Sequence, residues 1–154
     1  MKEIYERLQK SYNLPSYKNI DNEFELGYLE KDIKKTNYPL RNIRRRQMDK
    51  IMLFTNFLQS FIIPNPNSIV NMQESKFLTD EQRNTMVNII QQLMILERKS
   101  LILEVEQSET KDAEFITECL GQWLKIKKEL VKFSKVLLEN WQIQNEEKKS
   151  NYFG

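Results

Sequence analysis

Apolar residues recur at three- and four-residue intervals along most of this chain of 154 residues, the period of an α-helix. The clearest run is Leu40, Ile43, Gln47, Ile51, Phe54, Leu58 and Ile62. Thr36-Asn37-Tyr38-Pro39 precedes it, with Pro39 suited to a first helical turn, and Pro64-Asn65-Pro66-Asn67-Ser68 follows it. A helix of about 35 Å is therefore expected from Pro39 to Ile62. Its second half adds Met48, Met52, Leu53 and Phe57 on other faces. A helix that is apolar nearly all round is either central to a fold or covered by a partner.

Thr79-Asp80-Glu81-Gln82 has the capping-box form and opens a helix to about Gln107. Ser108-Glu109-Thr110-Lys111-Asp112 resets the chain. The last helix is expected from about Ala113 to Glu147, with Ile116, Cys119, Leu120, Trp123, Leu130, Val131, Leu137, Leu138 and Trp141 as its core stripe. Two shorter helices are expected before the long ones, over residues 2–10 and Asp21 to Lys35, separated by the break Asn13-Leu14-Pro15-Ser16. The second has two apolar faces: Leu26, Leu29 and Ile33 on one, Ile20, Phe24 and Tyr28 on the other. That pattern suits a helix sandwiched between neighbours, although Gly27 weakens it by about 1 kcal/mol relative to Ala. Residues 69–78 read as a connector with room for a short helical turn. The sum is an all-α, up-and-down bundle of three long helices plus one or two shorter N-terminal ones. It forms one domain over residues 1–147, and a flexible tail is expected over 148–154.

Composition agrees with that architecture and narrows the chemistry. With 3 Gly and 4 Pro the chain has too few turn residues for an all-β fold. Its 8 Phe, 6 Tyr and 2 Trp supply a real core. There is no histidine, which removes His-based acid–base catalysis, Ser-His-Asp and Cys-His nucleophiles, and haem on a proximal His. Cys119 is the only cysteine, so internal disulfides and cysteine-rich zinc sites are impossible. A lone cysteine suits a reducing, cytoplasmic setting. The charged start Met1 to Glu6 predicts no signal peptide. The longest apolar stretch, Ile51 to Ile63, is short of the roughly 20 residues that a membrane span takes. The expectation is a protein that is not an enzyme and holds no cofactor or metal.

Several charges fall where the helical wheel predicts burial. On the helix after Thr79, Met86, Ile90, Leu93 and Leu101 define an inward face with Glu97 and Glu104 near its centre. Lys127 falls between Trp123 and Leu130, and Arg44 lies beside Leu40, Gln47 and Ile51. A buried charge without a partner costs several kcal/mol, so Arg44 and Lys127 are expected to pair with Glu97 and Glu104. A carboxylate site for a divalent metal is the alternative.

Arg44 belongs to a cluster with Arg41, Arg45 and Arg46 at the start of its helix, an end that disfavours cations by a few tenths of a kcal/mol each, roughly. Residues 31–50 carry eight positive residues, Lys34, Lys35 and Lys50 among them, against Asp32 and Asp49. Residues 97–118 carry seven acids against three bases. Arg41, Arg45, Arg46, Lys34, Lys35 and Lys50 can then be a solvated face, a docking site for an acidic protein, or a phosphate-binding patch. Met48, Met52, Leu53 and Phe57 are the candidate apolar interaction surface. The leading expectation is a binding protein, an adaptor or complex subunit with a protein partner or a second copy of itself. The alternative is a nucleic-acid-associated protein. Glu23, Glu25, Glu30 and Asp32 are dense, but they lack the EExxE and ExxD spacing of all-α nucleotide pyrophosphohydrolases.

A basic helix followed by a Leu78-Thr79-Asp80-Glu81 helix start, over residues 1–96, resembles the helical domain of GINS replication subunits. That resemblance implies a replication-complex subunit. The chain departs from it in ending on a long helix where those subunits carry a small β-domain.

Overall fold

The computed structural model describes the backbone of residues 1–151 and the side chains of residues 1–146. Among the described residues there are seven α-helices and no strand: α1 (Lys2–Tyr12), α2 (Tyr17–Phe24), α3 (Glu30–Ile33), α4 (Pro39–Ile62), α5 (Ile69–Glu74), α6 (Asp80–Glu106) and α7 (Glu109–Asn151). The flexible tail expected over 148–154 lies outside the residues whose side chains are described. No described helix is long and apolar enough to cross a membrane.

α4 is the centre of the bundle and packs on both α6 and α7. Leu40, Ile43, Ile51, Leu58 and Phe61 are fully buried along it. The pairs Gln47–Ile116, Phe54–Trp123 and Phe61–Phe133 advance together in sequence, so α4 and α7 run parallel. α6 returns antiparallel between them. The capping box at Thr79 forms in both directions: Gln82 N–H donates to Thr79 Oγ1 (3.2 Å), and Thr79 N–H donates to Gln82 Oε1 (2.9 Å). α6 ends where Gln107 turns left-handed (φ 55°).

Four boundaries or faces differ from the sequence expectation, one of them the core stripe of α7, from which Val131 and Leu138 turn out to solvent. The helix expected from Asp21 to Lys35 is two helices joined by a 3-10 turn, because Glu25 adopts φ 53° and stops α2. Asp21 Oδ1 then accepts from Gly27 N–H (3.2 Å) and holds the turn. The break accounts for the two apolar faces: Ile20, Phe24, Leu26 and Ile33 are all buried from different directions, while Tyr28 is exposed. α7 begins at Glu109, ahead of the expected Ala113, with Ser108 Oγ accepting from Lys111 N–H (3.4 Å). α6 is also rotated from its predicted facing. Its buried row is Met86, Ile89, Leu93, Leu96, Ser100 and Leu103, and Leu101 lies exposed.

Candidate interaction site

All four clustered arginines make contacts within the molecule, and no two have the same set. Arg44 is fully buried. Its Nε donates to Asp112 Oδ1 (2.6 Å), its Nη1 to the Ser100 carbonyl (2.9 Å) and hydroxyl (2.6 Å), and its Nη2 to Glu104 Oε1 (2.9 Å). Arg45 grips the same carboxylate as a fork, Nε on Oε1 and Nη2 on Oε2, both at 2.8 Å. Arg46 donates to the Phe24 carbonyl (3.0 Å) and to Glu25 (3.2 Å). Arg41 lies over the Tyr38 ring (4.5 Å). Its Nε and Nη2 are buried without a hydrogen-bond partner among the described residues. The Glu109 carboxyl faces Arg41 and the first amides of α4, those of Leu40 and Arg41. Anions therefore surround the positive end of α4, which offsets the unfavourable placement of cations there.

The pairing expected of Arg44 and Lys127 divides between two separate centres. Glu104 belongs to Arg44 and Arg45, but the second anion on Arg44 is Asp112 rather than Glu97. Glu97 sits partly exposed beside Arg98 (3.5 Å) because of the rotation of α6. Lys127 instead donates to both oxygens of Glu23 (2.7 and 2.9 Å), which also accepts from Trp123 Nε1 (2.8 Å). Burial pushes the Glu23 carboxyl up, but the Lys127 and Trp123 hydrogen bonds and the Lys50 charge outweigh it and leave it below its ordinary value. Asp112 is not expected from the pattern of the chain, in which Ser108 to Asp112 reads as a break between helices. The signal was there in Ser108 as an N-cap, with Glu109 and Asp112 in the first turn of α7.

Acid titration should expose the Glu104 clamp. The Arg45 fork, opposed by burial and aided by Arg44, holds the Glu104 carboxyl down at about 2 against an ordinary 4.5. A carboxyl that is more acidic in the folded chain stabilises it fully above the unfolded value, and that stability is lost as pH falls from about 4.5 to about 2. The full shift corresponds to about 3 kcal/mol, and partial exposure reduces this to about 1–2 kcal/mol. Urea unfolding of Glu104→Gln should give a flatter stability curve over that window than the native chain. Parallel curves would show that the clamp contributes nothing.

The remaining predicted residues fall in different places. Lys34 pairs with Glu30 (2.5 Å), Lys35 is exposed, and Lys50 reaches the Glu23 carbonyl and the Trp123 ring. Met48 is buried, a correction to its place on the apolar surface: it shares the face of α4 that carries Arg44, Ile51 and Thr55 into the bundle. Met52 is exposed, on the opposite flank from Leu53 and Phe57 at 3.6 residues per turn. Leu53 and Phe57 share the flank of Lys50 and Phe54, which faces α7 through Phe54–Trp123 (5.3 Å) and Phe57–Phe133 (6.4 Å). Cys119 is fully buried, and desolvation pushes its thiol up to about 12, so it is an unreactive core residue.

Between that flank and α7 lies a groove of about 410 Å³, lined by Phe54, Trp123, Leu130, Val131 and Leu138 with Lys50, Lys127 and Lys135 on its walls. Its upper end is closed by α2, whose Phe24 packs on Trp123 (6.0 Å). A second cleft of about 450 Å³ opens between α6 and α7 over Leu58, Met86, Ile89 and Phe133, behind a polar mouth that includes Thr79, Gln82, Glu129 and Lys132. Among the described residues no three His, Cys, Asp or Glu side chains are grouped to hold a metal ion. No protein-family model, curated protein or solved structure matches the chain.

Proposed function

We propose that this chain works by binding another protein, as a helical adaptor or subunit of a larger complex, and not by catalysis. Its binding seat is the groove between α4 and α7. One observation carries this reading: large apolar side chains stand exposed in this groove and beside it. Val131 (49%) and Leu138 (58%) line it on α7, and Leu53 (65%) and Phe57 (37%) stand on the neighbouring flank of α4. Scattered apolar residues on a surface are ordinary, but a lined and aligned set is the mark of an interaction site. The nucleic-acid alternative loses its main support, since Arg44, Arg45 and Arg46 already hold protein oxygens and Arg41 is folded over Tyr38.

Replacing Leu53 and Val131 together by serine tests the reading. Both are exposed, so helicity should be unchanged by circular dichroism. A partner recovered in stoichiometric amount with the native chain should be lost with the variant. Recovery of the same partner in the same amount would remove the groove from the function. Partner recovery that instead depends on Arg45 and Arg46 and falls steeply with salt would favour the phosphate-binding alternative.

A further inference from the structure

The upper end of the α4–α7 groove already holds a helix, and it shows what chemistry fits there. α2 ends with Glu23 on Lys127 and Trp123 Nε1, and with Phe24 against the Trp123 ring. An acid thus sits on a lysine of the wall, and an aromatic ring sits on the floor. α2 stops at the left-handed Glu25, while the groove continues down α7 to Leu138. Over that open length α7 presents two rows, each at a seven-residue spacing. One is Val131 and Leu138, both substantially exposed and both lining the groove. The other, next to it on the wheel, is Lys128 and Lys135. Neither lysine has a carboxylate partner among the described residues. Residues 125–135 hold five lysines against the single acid Glu129.

We infer that the open groove takes an acidic amphipathic helix of a partner protein, laid end to end with α2. Its apolar face covers Val131 and Leu138, and its Asp or Glu side chains meet Lys128 and Lys135. The inference rests on the groove being the binding seat proposed above. An apolar row needs an apolar cover, which a phosphate backbone does not supply. A second copy of the chain fits poorly, because a two-fold contact through this groove gathers two basic edges into one interface. Helix-in-groove recognition reads residues at i, i+3, i+4 and i+7, the period of the row that α7 exposes.

The full chain is titrated with three synthetic helical peptides that share one leucine face and differ only in the flanking residues: Glu, Gln or Lys. Binding is read by fluorescence polarisation of the labelled peptide. The Glu peptide should bind roughly tenfold more tightly than the other two, about 1.4 kcal/mol, and should weaken as salt rises. Lys128→Glu with Lys135→Glu should invert the order in favour of the Lys peptide. Val131→Ser with Leu138→Ser should abolish binding of all three. Binding that is indifferent to the flanking charge overturns the acidic assignment and leaves the groove as the seat. Glu-peptide binding that survives the serine pair overturns the site. No binding by any peptide overturns the inference, while the proposed function stands or falls separately on the native partner's response to Leu53→Ser with Val131→Ser. Self-association in sedimentation that the serine pair removes would assign the groove to a second copy and overturn the partner helix.

Discussion

Replacing Arg44 by leucine should destabilise the chain by about 3–5 kcal/mol, a large part of the stability of a single domain. The loss is not that of one ion pair. Asp112 is fully buried, and Arg44 is the only cation bonded to it among the described residues. Without Arg44 its carboxylate stays in the core with one oxygen, Oδ2, already lacking a partner. The Ser100 hydroxyl and carbonyl lose their donor as well. Glu104 suffers less, since it keeps the Arg45 fork. Urea denaturation of Arg44→Leu, Asp112→Leu and the double variant should show strong non-additivity. The double variant should recover much of the loss, because apolar groups can replace a buried pair at little net cost. Additive losses would mean that the two side chains act independently, and the clamp would then be a coincidence of packing.

Trp123→Ala should cost a similar amount, about 3–5 kcal/mol, but the damage should spread differently. Trp123 is 2% exposed and packs between Phe24 of α2 and Phe54 of α4. Its Nε1 also donates to Glu23. Truncation therefore leaves a cavity at the top of the groove and frees the end of α2. Hydrogen exchange should show protection lost first across α2, with the α4–α6 contact holding longest. Trp123→Phe keeps most of the ring and leaves Glu23 its two bonds from Lys127, so its loss should be well under half as large. Uniform loss of protection in every helix would instead show that α2 is not separately anchored through Trp123.

Much of the fold was legible from local pattern. Pro39 at a helix start, the Thr79–Gln82 capping box and the Pro64–Pro66 stop are all settled within a few residues, so period and capping chemistry suffice to find α4 and α6. The break at Glu25 was not legible, because a glutamate in the left-handed region is held there by neighbours, not by its own preference. The facing of α6 was also hidden. Apolar residues surround that helix: Ile95, Leu101, Ile102 and Val105 are exposed while Ile89, Leu96 and Leu103 are buried. A pattern that is apolar on several faces does not say which one turns inward, and the rotation that the fold adopts leaves Glu97 partly exposed beside Arg98.

The arginine cluster shows where local information ends. Its composition and its position at the wrong end of a helix come from the sequence, as does the need for anions near it. Which anions answer that need depends on residues 21 to 68 positions away. Asp112 and Glu104 reach Arg44 only because the α6–α7 turn returns to the start of α4, and Glu23 reaches Lys127 only because α2 ends over Trp123. By itself the sequence determined an all-α chain with three long helices, no histidine chemistry and charges that had to be paired. Tertiary structure decided the pairs, gave Arg45 and Arg46 of the expected outward patch partners inside the molecule, and left the lower α4–α7 groove open. The physical reason is that periodicity and capping act within one or two turns, whereas burial and charge pairing depend on which helices meet and at what rotation.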